Sequence, residues 1–347
     1  MKMGVRLRGC IAVLAIVAGA DAAAAAELEP VSVGGANSVS DAAIFIADKN
    51  GYLREEGISI SFTSFTSATD ALPSLAAGQL DVYGGSTGAA FFNAVSRDIK
   101  LRIVADKASS QKGYPVNRLL VRKDLVDSGR FKTLKDLKGM RIAMTGPGIS
   151  NQVTLDDALK EGGLVFSDVE TVALPFPQHV TAFANKGVDA GVTTEPSGTV
   201  AINQGFAVAV KGDDEIYPGH EIAVLMYSEP FAQARHDTAM RFMRAYLRGL
   251  RYYHDALKDG KLAGPNADKV IAILTESTPI KDAQTFRMII PSGCDPDGRV
   301  NEASLKHDLA FYREQGLIEG DASVDRVVDY SFVDAALKQL GPYRPQQ

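Results

Sequence analysis

Tryptophan is absent from this 347-residue chain, and cysteine occurs only at Cys10 and Cys294. Cys10 falls in an amino-terminal leader, so the working protein keeps one thiol and an internal disulfide is excluded. Stability must come from an apolar core, for which roughly 320 residues suffice. Cys294 itself reads as a small buried side chain. The five histidines, His179, His220, His236, His254 and His307, show no metal-ligand spacing such as H-E-x-x-H, so no zinc centre is expected. "CDPDG" misses the calcium-loop spacing and reads as a turn before a helix capped by Asn301. "VGGANS" lacks the spaced glycines of a dinucleotide fingerprint, and no Lys-Ser/Thr follows "GPGISN", so no nucleotide cofactor is expected. Lys and Arg are dispersed over a chain of formal net charge −5, which argues against a nucleic-acid partner.

What is present begins with a leader. Lys2, Arg6 and Arg8 precede the apolar "GCIAVLAIVAGA", and "AAAAAE" offers small-residue cleavage after Ala26. The apolar run is shorter than the roughly 20 residues of a spanning helix. Cys10 lies at its start, where a lipid-modified cysteine ending a signal would not be. Residues 1–26 therefore read as a secretory signal, and the protein as periplasmic and soluble after cleavage. Loss of Lys2, Arg6, Arg8 and Asp21 moves the formal charge from −5 to −7.

The remainder alternates short apolar strands with helices. "VSVGGA", "ISISFTSF", "LDVYGG" and "KLRIVADKA" read as strands, with helices in "SDAAIFIADKNGYLREEG", "DALPSLAAGQ" and "STGAAFFNAVSRD" between them. The pattern restarts at "MRIAMT" and runs through "VETVAL" and "VDAGVT". This predicts an α/β protein with two mixed, mainly parallel sheets covered on both faces. "NRLLVRKD" and "HEIAVLMYSEPF" are extended apolar joins. If both are crossovers, residues 27–120 form the first part of lobe 1, residues 121–222 form lobe 2, and residues 223–347 return to lobe 1 with a helical tail. In that tail Met240, Met243, Leu247 and Leu250 recur at helical intervals, a core stripe opposite Arg241, Arg244, Arg248 and Arg251.

Ligands of open α/β sheets lie beyond the carboxyl ends of the strands, where helix starts leave N–H groups unpaired. Candidate starts are Ser40, Thr69, Ser86 with Thr87, Ser150 with Asn151, and Glu195. "DVYGGST" and "DAGVTTEP" repeat one strand–loop device, and only the second carries a charge, Glu195. Such an acid suits a ligand amine, or acid/base chemistry for which no partner can be named. Phe62, Phe65, Phe91, Phe92, Phe176 and Tyr83 are available for a stacking wall or for the core.

"GYLREEGISI", "LPSLAAGQLDV", "FKTLKDLKGMRIAMTGPGIS", "GVDAGVTTEPSGTVA" and "DGRVNEASLKHDLAFYREQGLI" with "VVDYSFVDAAL" resemble the nitrate/sulfonate/taurine or pyrimidine (NMT1/THI5-like) solute-binding proteins of ABC importers. The resemblance implies a two-lobed, type II-like periplasmic-binding-protein fold. It also implies a monomer that closes on a small-molecule ligand and presents it to an inner-membrane permease, without catalysis. By position, its ligand loops hold Ser38, Ser40, Thr66, Thr69, Ser86, Thr87, Gly148, Ser150, Asn151, Thr194 and Glu195. A small carboxylate, sulfonate, zwitterion or related nitrate-like anion is the expected cargo. A thiamine-precursor pyrimidine, an exported enzyme using Glu195, and a ligand-loaded partner of a membrane sensor are the alternatives. The cysteine-rich segment of pyrimidine-forming enzymes in the wider group is missing.

Overall fold

The computed structural model describes residue 1, residues 27–65 and residues 67–345. The leader beyond Met1, up to residue 26, and Thr66 lie outside the described residues.

Ten strands form two five-stranded sheets. The first contains β1 (Glu29–Gly35), β2 (Ile58–Ser64), β3 (Val82–Gly85), β4 (Leu101–Ser109) and β10 (Glu221–Ser228), in the order β2-β1-β3-β10-β4. The second contains β5 (Arg118–Arg122), β6 (Arg141–Met144), β7 (Glu170–Ala173), β8 (Ala190–Thr193) and β9 (Ala207–Gly212), in the order β7-β6-β8-β5-β9. Each sheet has one reversed strand. β10 is antiparallel to β3 and β4, and β5 is antiparallel to β8 and β9. These are the strands by which the chain arrives from the other lobe. The passages between the sheets are residues 110–117 and 213–220, just ahead of Val121 and Ala223.

Burial on both faces explains the unbroken apolar runs of the joins. Every residue of β10 is buried. Leu225 and Tyr227 face the helices Ala42–Lys49 and His236–His254, while Val224 and Met226 face Ala89–Ser96 and Glu302–Glu314. In the second sheet Leu119 and Val121 pack under Ser150–Glu161, and Leu120 packs toward Phe183 and Ala201. Met243, Leu247 and Leu250 are core, whereas Met240 is half-buried. The arginines of that helix tie it to the surface through Glu29, Glu56, Glu55 and Asp297. Cys294 is buried as a free thiol, and its desolvation pushes the thiol pKa up.

One expected helix is two. The run expected from Ser40 to Gly57 breaks after Lys49, because Gly51 takes a left-handed φ of 80° and restarts the chain as Tyr52–Glu55. Asn301 does cap its helix, accepting the Ser304 N–H at 3.3 Å.

Candidate functional site

The carboxyl ends of β1, β2 and β3 face those of β6, β7 and β8 across a cavity of about 470 Å³. The first lobe contributes the loops after those three strands together with Lys107 of β4. The second contributes the Pro115–Asn117 strap, the Thr145–Asn151 loop, Phe176, and Thr194 with Glu195. The lobes touch around it. Ala89 N–H donates to the Gly148 carbonyl at 2.7 Å, Ile290 N–H donates to Glu195 Oε1 at 3.2 Å, and His307 meets Asp157 at 3.1 Å. A Cβ on Gly88 would lie 2.4 Å from the Gly148 oxygen, so this approach requires glycine.

Of the expected site residues, Ser38, Ser40, Thr69, Ser86, Gly148, Ser150, Asn151, Thr194 and Glu195 line the cavity. Thr87 is buried behind the lining, at 3% exposure. Of the expected helix starts, Ser150 does open its helix, and the others shift by a residue or more. Ser67, not Thr69, caps its helix by accepting the Asp70 N–H. Gly88 precedes the Ala89 helix, leaving Ser86 and Thr87 in the loop. Ile149 precedes the Ser150 helix.

Residues Gly84 to Gly88 match G-x-S-x-G in a strand–loop–helix setting, which corrects the expectation that the chain lacks this motif. No histidine lines the cavity, and Ser86 bonds no base among the described residues.

The site's electrostatics were not legible in the motifs. Lys107 lies across the first wall with its side chain 1% exposed, and its ammonium is 2.9 Å from Asp41 Oδ1, itself fully buried. The two form a close, buried ion pair. The ammonium's directed bond goes to Ser40 Oγ at 2.8 Å, and Ser40 Oγ is 3.0 Å from Ser38 Oγ. Asp41 Oδ2 accepts the Ser38 N–H at 3.0 Å. Missing Cβ atoms make room for the pair. One on Gly84 would lie 2.7 Å from Lys107 Cε, and one on Gly35 would lie 2.5 Å from Asp41 Oδ1.

The second wall repeats the plan with different chemistry. Glu195 pairs with Arg118, both side chains being 8% exposed. Its Oε1 also accepts Thr199 Oγ1–H at 2.8 Å and the Ile290 N–H, and its Oε2 accepts the Thr199 N–H at 3.1 Å. A Cβ on Gly198 would lie 2.6 Å from Arg118 Nη2. Thr194 Oγ1 donates to the Val116 carbonyl at 2.8 Å. Asn151 donates to Thr145 Oγ1 at 3.3 Å, while its Oδ1 is buried without a partner.

Phe65, Tyr83, Phe91 and Phe176 supply an aromatic part of the lining. Phe65 and Tyr83 meet edge to face at 6.2 Å. Burial raises the Tyr83 pKa, which keeps the phenol neutral. Phe62 instead packs on Phe45, and Phe92 belongs to the core.

Two facing α/β lobes, two inter-sheet passages and a cleft at the strand ends define the two-lobed periplasmic-binding-protein fold. Residues 24–263 match the NMT1-like family, and the chain belongs to that family. A binding protein of Brucella abortus strain 2308 is 26% identical over 174 residues, 50% of each chain. The chain thus spans about half the length of the curated relatives it matches. The periplasmic aliphatic sulphonate-binding protein SsuA of Escherichia coli superposes with a TM-score of 0.66 at 20% identity, over 92% of this chain and 93% of that one. The periplasmic nitrate-binding protein NrtA of Synechocystis PCC 6803 gives 0.70 at 14% identity, over 91% and 90%. The same fold also carries a desulfurization enzyme, DSZB, at a TM-score of 0.63 and 16% identity, over 89% and 99%. Among the described residues, no helix is long and apolar enough to cross a membrane.

Proposed function

We propose that this protein is an exported, monomeric solute-binding protein. It closes its lobes on one organic anion with an apolar or aromatic body, a carboxylate or sulfonate, and presents it to an inner-membrane ABC permease from the periplasm. The observation that carries this reading is the composition of the cavity: four aromatic rings on one part of the lining, and hydroxyls, a lysine and the helix starts at Ala68, Ala89 and Ser150 on another. A volume of about 470 Å³ corresponds to roughly fifteen waters at about 30 Å³ each. That is generous for a bare nitrate and ordinary for an organic ligand pocket. Helix N-termini and hydroxyl donors favour an acceptor-rich head group.

Glu195 lines the cavity, but its oxygens are engaged by Arg118, Thr199 and Ile290. This weakens the zwitterion and enzyme readings, which both need that carboxylate free. Binding without turnover is the role proposed. An amine-bearing ring such as an aminopyrimidine is the second reading, favoured by the unpartnered Asn151 Oδ1. A thermal-shift series with benzenesulfonate, benzoate, taurine, nitrate and an aminopyrimidine, followed by calorimetry, tests the choice, since a bound ligand stabilises by RT ln(1 + [L]/Kd). The aryl anions should give the largest shifts. A shift with the aminopyrimidine alone would replace the proposal by its second reading.

A further inference from the structure

Lysine is purely a donor, and this fixes the direction of a short hydrogen-bond chain. Lys107 Nζ donates to Ser40 Oγ, so Ser40 must accept there. Ser40 and Ser38 share one hydrogen bond, which uses one of their two hydroxyl protons. The other has no protein acceptor among the described residues, and both serines line the cavity. The ammonium upstream polarises the pair, as chains of hydrogen bonds in a low-dielectric setting do. Asp41 balances the buried charge at 2.9 Å, and with three donors on the ammonium this contact leaves the bond to Ser40 in place.

We infer that Lys107, acting through Ser40 and Ser38, is the specificity-determining element of the cavity and selects an anionic head group over its neutral isostere. This rests on the reading of the protein as a binder of organic anions and names the residue that makes the selection. An anionic head gains both the hydroxyl hydrogen bond and the ammonium's charge behind it, whereas a neutral amide head gains only the hydrogen bond. Arg118 has no such role, because its guanidinium is held by Glu195 and Thr199.

The test compares benzenesulfonate with benzenesulfonamide by calorimetry at neutral pH, in the wild type, in Ser40→Ala and in the double variant Lys107→Met with Asp41→Asn. The double variant removes both charges together, and Ser40→Ala leaves the ion pair in place, so selectivity can be read even if one variant folds poorly. The wild type should prefer the sulfonate by about tenfold or more. Ser40→Ala and the double variant should bring the two affinities close together by weakening the sulfonate alone. A structural role only would weaken both ligands equally and would overturn the inference. So would a wild-type preference that survives in both variants, and the anion-binding reading would then stand without it. If the folded wild type binds neither benzenesulfonate nor benzoate, the reading itself fails and the inference falls with it.

Discussion

The two walls of the cleft are built alike and do different things. Each buries a cation from a strand beside an inter-sheet passage, pairs it with a carboxylate near a helix start, and leaves out a Cβ to make room: Lys107 with Asp41 and Gly84, Arg118 with Glu195 and Gly198. In the first wall the cation passes a hydrogen bond on to two serines that face the cavity. In the second the carboxylate is consumed within the wall, and one of its bonds reaches across to Ile290 of the other lobe. A charge at a pocket mouth is therefore a poor guide to recognition until its own partners are known. The acid that stands out in the sequence is a clasp, and the first wall's cation works behind a pair of hydroxyls.

The comparison can be broken most sharply at the clasp. Glu195→Ala strands the Arg118 guanidinium in a nearly dry site, and removing one partner of a buried pair is expected to destabilise the fold by about 3–5 kcal/mol. Urea unfolding measures it, and a loss below about 1 kcal/mol would mean that water reaches the pair. The glycines come next. Gly84→Ala drives a methyl to within 2.7 Å of Lys107 Cε, and Gly198→Ala drives one to within 2.6 Å of Arg118 Nη2. Each should reduce stability by about 1–3 kcal/mol. Only Gly84→Ala should also erode the preference for sulfonate over sulfonamide; equal erosion by both would make the walls equivalent.

Gly88→Ala tests closure in isolation. Its methyl meets the Gly148 carbonyl only when the lobes come together. Ligand affinity should therefore fall about tenfold while the unfolding midpoint of the ligand-free protein stays put. A shifted midpoint with unchanged affinity would contradict that.

The smallest effect is a pH slope. Burial pushes Asp106 up to about 7 and Asp213 up to about 6, from an ordinary value of 3.8, and it also raises Glu221. A carboxyl with a raised folded-state pKa stabilises fully below its unfolded value, and that contribution is lost as pH rises through the folded one. His307, raised by its hydrogen bond to Asp157, acts in the same direction. Carboxylates near the surface that are held down by hydrogen bonds, such as Asp136 and Asp168, act oppositely, and their contribution is lost as pH falls. Stability should therefore peak near about pH 4 and decline as pH rises toward about 7. Melting curves across that range check it, and Asp106→Asn should flatten the decline.

Much of the architecture was legible because it rests on local periodicity. The alternation of short apolar strands with helices requires covered sheets, and apolar runs such as "HEIAVLMYSEPF" are what a strand buried on both faces must look like. The reversed direction of β5 and β10 was not legible, since parallel and antiparallel central strands have the same composition. In the site, Ser38, Ser40 and Ser150 were found as hydroxyls after strands. Lys107 was missed because "IVADKAS" reads as an ordinary strand with a solvated lysine, and nothing local says that its stem runs over Gly84. Glycine in these loops permits a close approach, but nothing local names what approaches. Gly84 and Gly198 make space for a side chain of the protein, and Gly88 for its opposite lobe.

The sequence by itself determined the export signal reading, the two-lobed α/β plan and the family, because leader, periodicity and motif order are all local or linear. Tertiary structure alone decided what each charge faces. Whether a carboxylate meets a ligand, an arginine or the opposite lobe depends on contacts between residues 41 and 107, 118 and 195, or 195 and 290. Those separations carry no periodicity, and only the packing of the sheets and the closing of the lobes brings them together.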